Sequence, residues 1–231
     1  MSVPAIIYED NWFAIVYKPC GLVSDQNLYV STCLESWLVE YYKCQQSVRP
    51  KLMQRLDRPT SGILIVSKKK TATVPLQQMI EKRQIEKKYL ALVEGIPAVE
   101  QQILNQFHIK DKENKKAVIA LSSLSRQFQP VSLSYKILQS DSLFSLLEID
   151  LITGKYHQIR AQLGSIGHPV AGDVMYGSKY PSGVSNGITL HAYKLSFLHP
   201  ITNQKMHIEH FPLSKGLWEK YNTQWGGRLL G

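Results

Sequence analysis

The chain has 231 residues, 44% of them apolar, so it can bury a core and is not a disordered segment. Its 27 basic and 18 acidic residues give a net charge of +9, which points to a polyanionic partner, either nucleic acid or an anionic membrane surface. No apolar run approaches the roughly 20 residues that span a bilayer, and the first ten residues lack the pattern of a secretory leader, so neither a membrane span nor a leader is expected.

In chain order, a first strand is predicted over residues 12–17, closed by Lys18, Pro19 and Gly21. A helix is predicted from Thr32 to about Lys43. Thr32 and Glu35 form a capping-box pattern, and Leu34, Trp37, Leu38 and Tyr41 follow the stripe of an amphipathic helix. Residues 45–62 are rich in turn formers, and Ile63 to Val66 reads as a short buried strand. Leu76, Met79 and Ile80 predict a second helix ending near Arg83. A strand over residues 85–93 puts Ile85, Lys87, Tyr89, Ala91 and Val93 on one face.

Two further strands show period-two alternation, at Val131, Leu133, Tyr135 and Ile137, and at Leu147, Ile149 and Leu151. Ile159, Leu163 and Ile166 mark a short helix that Gly167 is suited to stop. Strands resume at residues 188–198 and 205–211, and Leu217, Trp218 and Tyr221 suggest a last helix. Many strands with few intervening helices predict an α+β fold with a large, mostly antiparallel sheet.

Cys20, Cys33 and Cys44 are widely spaced and odd in number, which fits free thiols in a reducing cytoplasm better than a disulfide framework or a zinc site. Gly154-Lys155 is not a P-loop, because Ile149 stands where that motif needs glycine. No dinucleotide fingerprint, G-x-S-x-G or H-E-x-x-H occurs. His207 and His210 are three apart in a strand-like segment and should face opposite ways, so no metal is expected.

Three segments remain that carry chemistry. In Gln54-Arg55-Leu56-Asp57-Arg58-Pro59-Thr60-Ser61-Gly62 a carboxylate sits between two arginines, which favour its ionised, nucleophilic form. Taken alone it reads more simply as a surface aspartate in loop salt bridges. In Thr153-Gly154-Lys155-Tyr156-His157-Gln158-Ile159-Arg160 a strand ends in a turn and a helix begins, offering N–H groups and Lys155 to an anion. His157 and Arg160 are neighbours on one helix face there, although the segment also fits an ordinary turn with solvated cations. Tyr89, beside Lys87 and Lys88, suits base stacking with cations on phosphates, or simply a core tyrosine.

Together with Lys18-Pro19-Cys20-Gly21, the strand from Lys87 to Gly95, the stretch from Gly167 to Gly177, Leu190-His191-Ala192 and His199-Pro200-Ile201-Thr202, these segments occur in one order over most of the chain. In that order they resemble the RluA-type family of RNA pseudouridine synthases. Three positions depart from the family pattern. Gln54 stands for its histidine, Lys155 for its arginine, which loses the phosphate-gripping fork, and Ala161-Gln162 for a pair ending in histidine.

The resemblance implies one catalytic domain over residues 1–231, with a central cleft flanked by helices and loops and no separate N-terminal RNA-binding module. It implies an isomerase that converts a uridine of structured RNA to pseudouridine without cofactor or metal. Asp57 attacks the uridine and detaches the base, which turns over and rejoins through carbon. Tyr89 stacks on the base, Arg160 holds Asp57 ionised, and Arg55 fills the space the nucleotide leaves. Lys18, Lys155 and His157 complete the substrate contacts. The expected partner is a stem-loop of transfer or ribosomal RNA, with transfer RNA favoured for so short a chain, and a monomer is expected. The alternative is an RNA-binding relative of the same fold that no longer catalyses. A glycoside hydrolase is disfavoured, because only Asp173 offers a second acid.

Overall fold

A computed structural model describes residues 3–25, 32–45, 47–123 and 125–225. The strands and helices, in order, are β1 (Ala5–Glu9), β2 (Phe13–Lys18), α1 (Leu34–Tyr41), β3 (Lys51–Leu52), β4 (Ser61–Ser67), α2 (Lys70–Glu81), β5 (Glu86–Glu94), β6 (Gln101–Asp111), β7 (Lys116–Ala120), β8 (Gln129–Ser140), β9 (Phe144–Asp150), α3 (Gln158–Ser165), β10 (Leu190–Leu198) and β11 (Lys205–Glu209), with 3₁₀ turns at Val174–Tyr176 and Gly216–Trp225. This is the expected α+β class. None of the described helices is long and apolar enough to cross a membrane. The chain divides into two compact units, one of residues 1–86, 185–187 and 191–212, the other of residues 87–184, 188–190 and 213–231.

In the first unit β2 pairs antiparallel with β1 and β4, β4 pairs parallel with β10, and β10 pairs antiparallel with β11. Every residue of β2 and β4 is buried, as expected of strands covered on both faces. Phe13, Ile15, Ile63 and Ile65 pack with Ala72 and Leu76 of α2 and with Leu195 and Phe197 of β10. Each of the larger of these side chains contributes roughly 1.5–3 kcal/mol when fully buried.

Helix α1 begins one residue later than its sequence suggests. Cys33, not Thr32, is the N-cap: its Sγ accepts from Ser36 N at 3.4 Å, and Ser36 Oγ accepts from Cys33 N at 3.0 Å. Helix α2 stops at Glu81, because Arg83 turns left-handed at φ 56° and Gln84 N closes on Met79 O at 2.8 Å.

The second unit is an antiparallel sheet in the order β5-β9-β8-β6-β7. Register places Tyr89 opposite Ile149 and Ile149 opposite Tyr135, so the three share one face. β6 and β7 have no clear sequence signal. The buried positions of β6 are Leu104, Gln106 and His108, two of them polar, which erases the apolar alternation. Helix α3 ends as expected: Gly167 takes φ 82° and His168 N bonds Leu163 O at 3.0 Å. The closing segment is a 3₁₀ turn rather than an α-helix, anchored by buried Trp218 and Tyr221, with Tyr221 OH donating to Asp141 Oδ2 at 2.7 Å.

Candidate active site

Asp57 is half-buried in the loop between β3 and β4. Its carbonyl accepts from Thr60 N at 3.0 Å, closing a turn around Arg58 and Pro59. The loop is stitched to the segment after β2. Ser24 Oγ bonds both Leu56 N, at 3.1 Å, and Leu56 O, at 2.8 Å. Gly21 N donates to Arg58 O at 2.8 Å, and Arg58 Nε returns a bond to Gly21 O at 3.1 Å. Arg55 reaches outward and pairs with Asp25 Oδ2 at 2.9 Å on an exposed surface, a contact of little net strength.

Lys18 departs from its expected place among the RNA contacts. It is 0% exposed, and its ammonium donates to the carbonyls of Pro19 at 3.0 Å, Leu22 at 2.8 Å and Arg58 at 3.4 Å. It is a buried strut beneath the Asp57 loop rather than a phosphate contact. Burial lowers its pKa to about 8, against the opposing pull of the nearby Cys20 and Asp57 charges. Gln54 precedes the loop in a bend, and its buried Oε1 has no hydrogen-bond partner among the described residues.

Tyr89, Lys155, His157 and Arg160 belong to the second unit. Tyr89 is buried on its strand. Lys155 is exposed in the turn before α3. His157 is the N-cap of α3, held left-handed at φ 51°. Its ring stacks on Tyr156 at 3.8 Å, and its Nδ1 lies 3.0 Å from Tyr176 OH. Arg160 lies one helical turn along the same side, 5.1 Å over the Tyr176 ring. Its Nε and NH2 grip Asp173 Oδ2 and Oδ1 at 2.6 and 2.9 Å.

Asp173 and Tyr176 thus hold two of the candidate residues, Arg160 and His157, a role that the motifs did not assign to either. Both fall in the stretch from Gly167 to Gly177 that carries part of the family pattern, and that stretch was the available signal. The bond between Arg160 and Asp173 is non-local, so no spacing rule announces it.

The amide side chains of α3 explain one departure from the family pattern. Gln158 Oε1 accepts from Thr153 Oγ1 at 2.9 Å and from Lys155 N at 3.0 Å. Its Nε2 donates to Ser132 O at 3.1 Å and to Gln162 Oε1 at 2.9 Å. Gln162 Nε2 in turn donates to Leu104 O at 3.1 Å and to Gln106 Oε1 at 3.0 Å, and Gln106 Nε2 donates to Ser165 Oγ at 3.1 Å. Gln162 therefore belongs with the buried Gln106 that hid β6. The network is satisfied at both ends and fixes the rotation of α3, and with it Arg160.

A family model described as RNA pseudouridylate synthase matches residues 12–165. Among curated proteins, the chain is 31% identical to a ribosomal large subunit pseudouridine synthase C of Buchnera aphidicola, over 88% of this chain and 65% of that protein. It is 34% identical to an uncharacterized RNA pseudouridine synthase of Aquifex aeolicus, over 88% and 68%. A ribosomal large subunit pseudouridine synthase D of Neisseria meningitidis is 32% identical, over 88% and 57%. The chain spans about 65% of the length of the first of these relatives. Among solved structures, human RNA pseudouridylate synthase domain containing 4 aligns with TM-score 0.75 at 20% identity, over 95% of this chain and 91% of that one. Human RNA pseudouridylate synthase domain containing 1 aligns with TM-score 0.73 at 19% identity, over 99% and 97%. These two share the fold.

Proposed function

Because the chain belongs to the RNA pseudouridylate synthase family, we propose that it isomerises a specific uridine of structured RNA to pseudouridine with Asp57 as the nucleophile. The observation that carries this reading is the span of the family match, residues 12–165, which contains Asp57, Tyr89 and Arg160 at their motif positions. Asp57 attacks the uridine and the base leaves its sugar. The base turns over and rejoins through carbon. That carbon gives up its proton and the released nitrogen takes one up, so composition is unchanged. Tyr89 stacks on the base, and Arg160 is the cation that serves the carboxylate. His157, Lys155 and the exposed Arg55 are the RNA contacts.

Reaching the sugar of a stacked nucleotide costs a few kcal/mol of unstacking, which phosphate contacts to a chain of net charge +9 offset. The sequence alone favours transfer RNA. The relatives named for the ribosomal large subunit favour a ribosomal RNA stem-loop, and that is the substrate class proposed here. The free cysteines suit action in a reducing cytoplasm.

The test is incubation with RNA from a strain lacking the gene, followed by chemical mapping of pseudouridine. A new site with wild type and none with Asp57→Asn, whose RNA affinity stays within a few-fold, is the expected result. Tight RNA binding with no new site would leave only the non-catalytic RNA-binding alternative.

A further inference from the structure

Ser61 opens β4 directly after the turn that carries Asp57. Its Oγ lies 2.7 Å from His191 Nδ1, and both residues are buried. His191 Nε2 lies 2.9 Å from the carbonyl oxygen of His210. A carbonyl only accepts, so Nε2 carries the proton. Burial, reinforced by the neighbouring His210, lowers the His191 pKa to about 3, so the ring is neutral and Nδ1 is left as an acceptor. The Ser61 hydroxyl therefore donates to it.

A directional chain results, from Ser61 to His191 and from His191 to the His210 carbonyl. It begins at the exit of the Asp57 turn, passes through His191 on β10 and ends at His210, just after β11. Beside it Gly62 lies so close to β10 that an added Cβ would stand 2.4 Å from Ala192 N and O. Backbone contact leaves β4 no slack there, and the Ser61 hydroxyl is the side-chain bond that locks its first residue.

We propose that Ser61 and His191 are positioning residues for the isomerisation: their buried hydrogen bond fixes the exit of the turn and so the direction of the Asp57 carboxylate. This inference rests on the reading of Asp57 as nucleophile. A bond that serves only the core would change melting and leave the chemical step alone. One that aims a nucleophile changes the rate at saturating RNA, because a misplacement of about 1 Å costs on the order of a hundredfold.

Three variants separate the two ends of the chain. Ser61→Ala removes the donor. His191→Gln reaches the His210 carbonyl but loses the acceptor for Ser61. His191→Asn keeps an oxygen where Nδ1 stood. The single-turnover rate with saturating substrate RNA, RNA affinity, and amide exchange of residues 53–60 are measured for each. Ser61→Ala and His191→Gln are expected to lose about ten- to a hundredfold in rate with affinity within twofold. Their double variant should be no slower than either alone, His191→Asn should stay within about threefold of wild type, and loop exchange should rise about tenfold in the two damaged variants. An unchanged rate in Ser61→Ala, or unchanged loop exchange, overturns the inference. Wild-type protein that makes no pseudouridine defeats the functional reading instead, and the exchange measurement then still decides whether the pair sets the loop.

Discussion

Arg160 and Asp173 meet through two parallel hydrogen bonds, at 2.6 and 2.9 Å, with side chains only 5% and 2% exposed. The fork of the guanidinium matches the carboxylate, and neither charge has water to fall back on.

Arg160→Ala therefore strands a buried carboxylate, and a loss of about 3–5 kcal/mol in unfolding free energy is expected by urea titration. Changing Arg160→Met together with Asp173→Leu removes both charges and should regain most of that stability. Pseudouridine formation should stay lost in the double variant, because the cation proposed to serve Asp57 is still missing. A stable and active double variant would make Arg160 a structural residue only.

Lys18 gives a pH signature. Its pKa is about 8 in the folded chain, against an ordinary value of 10.5. Between those values the unfolded chain holds the proton and the folded chain does not, so the contribution of Lys18 to stability rises with pH across that window. The shift corresponds to roughly 3 kcal/mol in total. The unfolding free energy of wild type minus that of Lys18→Met should therefore increase between pH 7 and pH 10. A flat difference would mean that the ammonium is not desolvated as its burial implies.

Gly62→Ala is expected to be severe. The position has φ 130°, and the new Cβ would meet the Ala192 backbone at 2.4 Å. A parallel strand pair cannot yield there without losing its ladder. A loss of roughly 3 kcal/mol or more, read as a large fall in melting temperature or loss of soluble protein, is the expected outcome.

Gln162→Leu tests the amide network. It leaves the Leu104 carbonyl, the Gln106 Oε1 and the Gln158 amide short of a partner in the interior. Each orphaned group costs about 1–3 kcal/mol, so a clear drop in melting temperature is expected. Gln106→Leu combined with Gln162→Leu should fall short of the sum of the two single changes, because both act on one network.

Length, charge and local pattern determined a good deal. Apolar periodicity found β2, β4, α2, β8, β9 and α3, because each lays a regular apolar face against a core. Motif order located the Asp57 turn and the helix of Arg160, since chemistry of this kind ties residue types to fixed spacings. Tertiary structure alone decided the rest. β6 was hidden because its inward Gln106 and His108 are satisfied by partners more than 45 residues away, Ser165 and Gln162 for the first and the Tyr156 carbonyl for the second. Lys18 reads as a surface cation until three carbonyls are found around it. The pairing of Arg160 with Asp173, and of Ser61 with His191 across 130 positions, follows from which strands and turns lie side by side. A sequence records which face of an element is apolar. Which polar group waits on the other side of a buried contact is set only when distant segments pack.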